Sequence, residues 1–170
     1  MAAIEIRKMT SLTEDDITAL SEILIGTVAA GASVGWIHPP TIDEANAYWA
    51  GVIKPGNVLL CGFDGDRIVA TGQLELAQRA NGRHRAEVNK VLVQLSRQGE
   101  GLGRQMMAAL EEAARAEGCT LLHLDTNADD TTNAFYRRIG WSVAGTIPDW
   151  ARSGADGALH GTTFYYKQLA

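Results

Sequence analysis

The stretch "RQGEGLGRQMM", residues 97–107, decides the fold of this chain. It follows a short apolar run typical of a strand and continues without a break into a run typical of an amphipathic helix. Its three glycines occupy alternate positions, Gly99, Gly101 and Gly103. A helix cap needs only one glycine, so the spacing indicates a loop whose backbone is approached closely by something else.

The elements around this loop predict a strand–helix–strand unit. Residues 86–94 and 119–127 are typical of strands, and residues 101–117 are typical of a helix with one apolar face. Such a crossover makes its two strands parallel and puts the helix start at the carboxyl end of the first strand. The free N–H groups at that helix start, with Gln98 and Arg104 as additional donors, predict an anion site.

The remaining elements predict an α+β fold in three layers, with a mixed and mostly antiparallel sheet around that single parallel unit. We expect a strand at 2–8, helices at 13–30 and 41–52, strands at 57–63 and 67–76, a short helix at 131–140, and final strands at 141–147 and 162–169. Ser11 and Glu14 have the spacing of a capping box for the first helix, and Thr41 is the expected cap of the second.

Composition narrows the function further. The 170 residues are 46% hydrophobic and 21% charged, which fits a single domain over 1–170. The net charge of −5 and the scattered basic residues argue against nucleic acid as a partner. Because the chain shows neither a signal-peptide pattern nor a spanning apolar run, we expect a cytoplasmic protein with no membrane partner. Cys61 and Cys119 lack metal-ligand spacing, so we expect two reduced cysteines and no metal.

The glycine pattern separates the known classes of phosphate loop. A dinucleotide fingerprint would need glycine at Arg104, and a P-loop would need a Gly-Lys pair that the chain lacks. The pattern [QR]-x-x-G-x-[GA], which Gln98, Gly101 and Gly103 satisfy, does fit. In this it resembles the acetyl-CoA loop of the GNAT superfamily of N-acetyltransferases.

A second motif, "TNAFYRRIGW" (132–141), also resembles a GNAT signature and follows the first in the family's order. Several short segments are similar to a member that acetylates an amino-acid-like β-lactam toxin, among them "HRAEVNK" and "LLHLDT". Leu95 departs from the proline that many relatives carry. The resemblance implies the GNAT acyl-CoA N-acyltransferase fold, a V-shaped splay between the two parallel strands, and acetyl-CoA as cosubstrate.

The resemblance also implies where the cosubstrate binds. Pantetheine would run back along the strand at 86–94 and pair with its backbone, while the loop would hold the pyrophosphate. The implied binding residues are Val91, Leu92, Val93, Gln98, Gly99, Glu100, Gly101, Leu102, Gly103, Arg104, Asn127, Asn133 and Tyr136.

Acetyl transfer to an amine sets the catalytic candidates. An amine with a pKa of about 10 is protonated at neutral pH, so a base is needed, and Glu87 and Asp125 are the candidates. A backbone N–H near Val91 or Val93 could stabilise the oxyanion. The resemblance implies that Tyr136 protonates the departing thiolate.

Each assignment has a structural alternative. Glu87 could pair with Arg85 or Lys90, and Asp125 could be a solvated or helix-capping carboxylate. Tyr136 could pack in the core, and a core role is the favoured interpretation of His123.

We expect Ser33 and Trp36 to line the acceptor pocket together with the two carboxylates, although Trp36 could instead anchor the core. The favoured function is N-acetylation of a small-molecule amine, with amino-acid-like antibiotics or toxins among the candidate acceptors. A protein lysine or N-terminal acetyltransferase and a non-catalytic acyl-CoA sensor remain the alternatives. The family resemblance also makes a homodimer a reasonable expectation.

Overall fold

The structure, a computed structural model, describes residues 4–32, 34–154 and 156–169. Seven strands and four α-helices follow one another along these ranges. They are β1 (Glu5–Met9), α1 (Glu14–Ala29), α2 (Ile42–Ala50), β2 (Asn57–Asp64), β3 (Arg67–Leu76), β4 (Arg85–Val93), α3 (Leu102–Ala116), β5 (Leu121–Asn127), α4 (Thr132–Arg138), β6 (Ser142–Arg152) and β7 (Leu159–Gln168).

The strands form one sheet in the order β1-β2-β3-β4-β5-β7-β6. Every neighbouring pair is antiparallel except β4 and β5, which are parallel and are joined through α3. The mixed sheet with one strand–helix–strand unit is therefore confirmed. Helices cover both faces, because one apolar cluster includes α3 and the other lies under α1 and α2.

The first two helices begin at capping boxes that use acidic residues. Thr13 caps α1 with Asp16, and Thr41 caps α2 with Glu44. The expected cap at Thr41 is confirmed, whereas the expected box of Ser11 with Glu14 is wrong. Thr13 has the same spacing to Asp16, and an aspartate at the third helical position closes the box as well as a glutamate would.

A β-bulge interrupts β4 in the middle of the sheet. Two residues, Lys90 and Val91, stand opposite the single Gly72 of β3, and Lys90 adopts a left-handed φ of 51°. Because of the extra residue, the side-chain alternation changes phase. Val88, before the bulge, packs in the α3 cluster, while Leu92, four residues later, packs in the α1–α2 cluster.

The sheet opens between β4 and β5. The two strands pair at only three positions, ending with Glu87 beside His123, although every residue of both strands is described. The expected V-shaped splay is thus confirmed. On the far side of β5, β7 pairs with it along the full seven residues from Leu121 to Asn127, so it is the β4 side that opens.

The last hairpin is longer than the sequence predicts. β6 continues past Ile147 to Arg152, with a register irregularity that includes Pro148. Proline is tolerated there because β6 is the edge strand and needs no N–H donor on its outer side.

Candidate active site

Two cavities meet inside the fork between β4 and β5. The first, called the cleft below, has a volume of about 690 Å³ and is lined by Glu87, Lys90 and Asp125. The second, called the loop pocket, has a volume of about 640 Å³ and lies at the start of α3. Five residues line both cavities, namely Val91, Val93, Gln98, Thr132 and Tyr136. The glycine loop and the carboxylates therefore face a continuous space.

The start of α3 differs from that of the two earlier helices. Its N-cap is Gly101, which provides no side-chain hydrogen bond, and its first turn contains no acidic residue. The first N–H groups of a helix point along the axis and carry the positive end of its dipole. In α1 and α2 a capping box with an acidic residue satisfies these groups, whereas in α3 they face the loop pocket.

The three loop glycines are needed for different reasons. Gly99 and Gly101 have left-handed φ angles of 82° and 85°, which disfavour any side chain. Gly103 is helical, and a Cβ there would lie 3.8 Å from Cζ of Phe135, an ordinary contact. Neither the backbone nor the neighbouring side chains therefore require glycine at position 103. A ligand lying against the first helical turn would require it.

The arginines around the loop divide into two groups. Nε of Arg97 lies 2.9 Å from a Glu100 carboxylate oxygen and Nη1 lies 2.6 Å from Asp64, so this guanidinium holds the loop together. Arg104 and Arg138 line the loop pocket and are exposed, with no ion pair within the described residues. Arg138 was not among the predicted site residues, although its place in the last turn of the short helix was an available signal.

Three predicted loop ligands could contribute only in part. The Glu100 carboxylate is engaged with Arg97, and the Leu102 side chain is buried, so only their backbone groups can face a ligand. The side-chain amide of Gln98 makes one long hydrogen bond, 3.4 Å, to the carbonyl of Val93.

The predicted pantetheine-binding stretch lies on the open edge of the fork. Val91, Leu92 and Val93 follow the last β4–β5 pair, so β5 does not pair with them on that side. The Leu92 side chain is buried, which restricts this residue to backbone contacts.

Glu87 and Asp125 both line the cleft, as the sequence predicts, on neighbouring strands. Burial raises the pKa of the Glu87 carboxyl, with Asp125 and Glu75 also raising it and His123 and Lys90 opposing them. Burial likewise raises the pKa of Asp125, against the lowering effect of His123 and Lys90. Both carboxylates thus have a greater affinity for a proton than an exposed carboxylate.

Two strand neighbours of Glu87 were assigned differently or missed from the sequence. His123 is half-buried beside Glu87, so the expectation of a core histidine is wrong. It lies on the β5 face that alternates with the buried Leu122 and Leu124. Glu75 was missed, and it stands directly opposite Glu87 on the neighbouring strand. Like charges directly opposite each other destabilise a sheet, which is the signal that marks Glu75.

Tyr136 lies where the two cavities join. Its ring packs against Tyr165, with 5.5 Å between centroids, and against Trp141, at 6.3 Å. Burial raises the pKa of its hydroxyl to about 12, so the phenol is protonated at neutral pH. No residue of the described ranges forms a hydrogen bond with this hydroxyl, which leaves it available to a ligand.

Asn133 has a different environment from the one expected. Its amide nitrogen donates to the carbonyls of Asn127 and Asp130, at 2.8 and 2.7 Å, and its amide oxygen accepts a 2.8 Å bond from the Tyr165 hydroxyl. These bonds hold the β5–α4 loop. The amide hydrogens are thus engaged by the protein rather than free for pantetheine.

The structure separates Asn127 and Trp36 from both cavities. They line a third cavity of about 230 Å³ between the 31–40 loop and the β6–β7 hairpin. The Asn127 amide oxygen accepts a hydrogen bond from the N–H of Asp129. Trp36 packs edge-on against Tyr48 and contacts the α1–α2 cluster. Ser33 lies outside the described residues.

The described ranges contain no group of three or more His, Cys, Asp and Glu residues suited to a metal ion. The described helices include none that is both long and apolar enough to span a membrane.

Comparisons with known proteins identify the family of the chain. Residues 22–141 match the acetyltransferase (GNAT) family, and the chain belongs to that family. It is 30% identical over 128 residues to an N-acetyltransferase of uncharacterised function from the hisH-hisA intergenic region of Azospirillum brasilense, covering 74% of this chain and 76% of the relative.

Solved structures share the fold at low sequence identity. A protein assigned as a phosphinothricin N-acetyltransferase has a TM-score of 0.82 and 17% identity, covering 99% of both chains. The yncA protein of Salmonella typhimurium, assigned as an acetyltransferase and solved with its cofactor acetyl-CoA, has a TM-score of 0.80 and 20% identity, covering 99% of this chain and 95% of its own. The fold is therefore the GNAT fold, and the protein is an acetyltransferase of that family.

Proposed function

We propose that this chain is a single-domain, acetyl-CoA-dependent N-acetyltransferase that acts on a small-molecule amine. The uncapped start of α3, which opens into the same space as two carboxylates and a tyrosine hydroxyl, is the observation that carries this proposal. The solved structure with acetyl-CoA supports the choice of donor.

The residues of the loop pocket fit a diphosphate. The N–H groups at the start of α3 and the guanidiniums of Arg104 and Arg138 supply donors and positive charge to one concave surface. The open edge of β4 at Val91 and Val93 offers backbone groups for the pantetheine arm. Acetyl-CoA supplies the acetyl group as an activated thioester.

The chain's own residues then handle the protons. Glu87 or Asp125 removes a proton from the acceptor ammonium, directly or through water, so that the amine can attack. A β4 backbone N–H near Val91 or Val93 donates to the developing oxyanion. The Tyr136 hydroxyl donates its proton to the departing sulfur, a role for which a phenol that is protonated at neutral pH is suited.

The acceptor is the finer part of the proposal. Short segments resemble the tabtoxin-resistance acetyltransferase, and a protein of similar fold is assigned as a phosphinothricin N-acetyltransferase. Amino-acid-like antibiotics and toxins therefore head the acceptors to be tested, and a role in antibiotic resistance would follow from their acetylation. Protein lysine or N-terminal acetylation and non-catalytic acyl-CoA sensing are the alternatives.

Two measurements test the proposal. Calorimetry with acetyl-CoA should detect binding, and a thiol-release assay should detect turnover with at least one amino acid or small amine. Turnover restricted to peptides would favour the protein-directed alternative. Binding with no turnover on any amine would favour a sensor, and the absence of binding to the folded protein would exclude the enzyme function.

A further inference from the structure

Lys90 is a charged residue of the cleft that the proposed chemistry leaves without a role. It is the first of the two β4 residues that form the bulge, and its positive φ takes it out of the regular strand alternation. A non-glycine residue in this conformation is uncommon and costs about 1 kcal/mol or more. Such strain is typical of functional sites, where a side chain is held in a required direction.

The surroundings of Lys90 define the direction of its side chain. Nζ lies 5.7 Å from the centre of the Tyr48 ring and 3.8 Å from the position that a Cβ on Gly35 would occupy. Tyr48 is itself fixed, because its hydroxyl accepts a 3.0 Å bond from Gln73. Lys90 therefore projects from β4 toward Tyr48 of α2 and toward Gly35.

The ammonium of Lys90 faces the Tyr48 ring and is in direct contact with no carboxylate of the described residues. Within the described residues it makes no hydrogen bond and no ion pair, although it lines both the cleft and the adjoining cavity under α2. Burial lowers its pKa, while Glu87, Asp125 and Glu75 act at a distance to raise it. The contact with the Tyr48 ring offsets only part of the cost of half-burying this cation, and an anionic ligand would offset more.

The charges of the cleft are consequently arranged in two groups. The carboxylates of Glu87 and Asp125 lie at the fork, where an acceptor ammonium would lose its proton. Lys90 lies three residues further along β4, displaced by the bulge toward the Tyr48 ring. An acceptor that carries one positive and one negative group would complement both.

We propose that Lys90 binds the carboxylate of the acceptor, so that the cleft selects amino acids over amines that lack a carboxylate. This inference rests on the proposed acetyltransferase function and makes Lys90 a specificity residue. It predicts an effect mainly on KM for the acceptor, with acetyl-CoA affinity nearly unchanged, because Lys90 contacts a group of the acceptor that does not itself react.

The test uses matched acceptors that differ only in the carboxylate. These pairs are L-phenylalanine with phenethylamine, L-leucine with isoamylamine, and L-ornithine with putrescine. For the wild-type protein we expect kcat/KM to favour the amino acid of each accepted pair by about 10-fold or more. Lys90→Gln should raise KM for the amino acid by about 10- to 100-fold more than KM for the paired amine, the range for one charge-assisted hydrogen bond.

Two further variants act as controls. Lys90→Arg retains the charge and should keep most of the preference. Lys8→Gln makes the same change in net charge on the edge strand β1, where Lys8 pairs with Glu117, and should leave the preference unchanged. Equal use of both members of each pair by the wild type, a preference for putrescine, or an equal loss for both members in Lys90→Gln would each overturn the inference.

Binding measurements separate this inference from the proposed function. Calorimetry of the CoA-saturated protein with each amino acid detects binding without turnover. Amino acid binding that Lys90→Gln abolishes would support the role of Lys90 even if no acetylation occurs. Turnover of amines with no carboxylate preference would support the enzyme and refute Lys90 as a carboxylate ligand. If neither turnover nor amino acid binding is detected, both the proposed function and the role of Lys90 are refuted.

Discussion

Glu87 of β4 lies beside His123 of β5, and this is the last pair that the two parallel strands form. The carboxylate therefore sits at the apex of the fork, half-buried, with the cleft directly beyond it. Asp125, two residues further along β5, is more exposed. From this difference in position we expect Glu87, rather than Asp125, to be the base.

Replacement of the two carboxylates should rank them. We expect Glu87→Gln to lower kcat/KM for the acceptor by about 100-fold, the scale of general base catalysis, and Asp125→Asn to lower it less. Steady-state kinetics with saturating acetyl-CoA measures both effects. A greater loss in Asp125→Asn would instead identify Asp125 as the base.

The pH dependence of activity should reflect the raised pKa of Glu87. A base acts only when deprotonated, so activity should fall as the pH drops through this pKa, which lies above the usual carboxylate value of about 4.3. We expect the acidic limb of the kcat/KM profile to lie above that value and to disappear in Glu87→Gln. An unchanged limb in the variant would assign it to another group.

The same carboxylate should reduce stability at neutral pH. Because its pKa is higher in the folded protein than in the unfolded chain, the folded state binds the proton more tightly. The free energy of unfolding therefore decreases as the pH rises from about 4.3 through the folded pKa. Glu87→Gln should raise the free energy of unfolding at pH 7 by at most about 1 kcal/mol, and the thermal midpoint should rise with it. A lower midpoint would contradict this account.

The glycine at position 103 offers a test of the loop that separates binding from folding. Gly103→Ala should not lower stability, because the new Cβ makes only an ordinary contact at 3.8 Å and alanine favours helix. It should weaken acetyl-CoA binding about 10-fold or more, because the new methyl group would occupy the space at the first helical turn where the diphosphate is proposed to lie. Gly26→Ala in α1, also helical and also 3.8 Å from its nearest neighbour, is the matched control and should leave binding unchanged. Equal affinities in both variants would place the diphosphate elsewhere.

The two neighbouring tyrosines should respond oppositely to loss of the hydroxyl. Tyr136→Phe removes a hydroxyl with no partner in the described residues, so we expect unchanged stability and a fall in kcat of about 100-fold. Tyr165→Phe removes the buried bond to the Asn133 amide oxygen and should cost about 1 kcal/mol of stability. Thermal melts and initial rates measure both. Full turnover by Tyr136→Phe would remove this residue from the acid role.

Two loops distant in sequence meet at Gly154. A Cβ on this residue would overlap the backbone carbonyl of Ile37, and neither group can move as a side chain would. We expect Gly154→Ala to separate the loops, changing KM for the acceptor several-fold while leaving acetyl-CoA affinity unchanged. Gly145→Ala on β6 has free space around the new methyl group and serves as the control. An unchanged acceptor KM would show that these loops do not shape the cleft.

Local signals in the sequence were sufficient for the order of elements. The cap at Thr41 and the glycine loop before α3 each depend on residues close together in the chain, so a single sequence reveals them. The bulge at Lys90 could not be predicted in this way, because it depends on the pairing of β4 with a glycine on another strand. The same limit explains why Glu75 was missed as a cleft residue.

The environments of Trp36 and Asn133 were the least predictable from the sequence. Trp36 follows a glycine-rich segment with no periodicity, and its neighbour Tyr48 comes from the next helix. Asn133 follows the pattern of a family motif, yet its amide is engaged by the β5–α4 loop and by Tyr165. Motif position identifies such residues, whereas only the packing reveals the atoms they contact.

The bulge in β4 also restricts how the gene can vary. Deleting one residue between Val88 and Leu92 would turn Leu92 out of the α1–α2 cluster, and inserting one would do the same. Homologous proteins should therefore keep the length of this segment constant even where its amino acids differ. New acceptor preferences at the bulge would then arise by exchange of side chains and not by insertion or deletion.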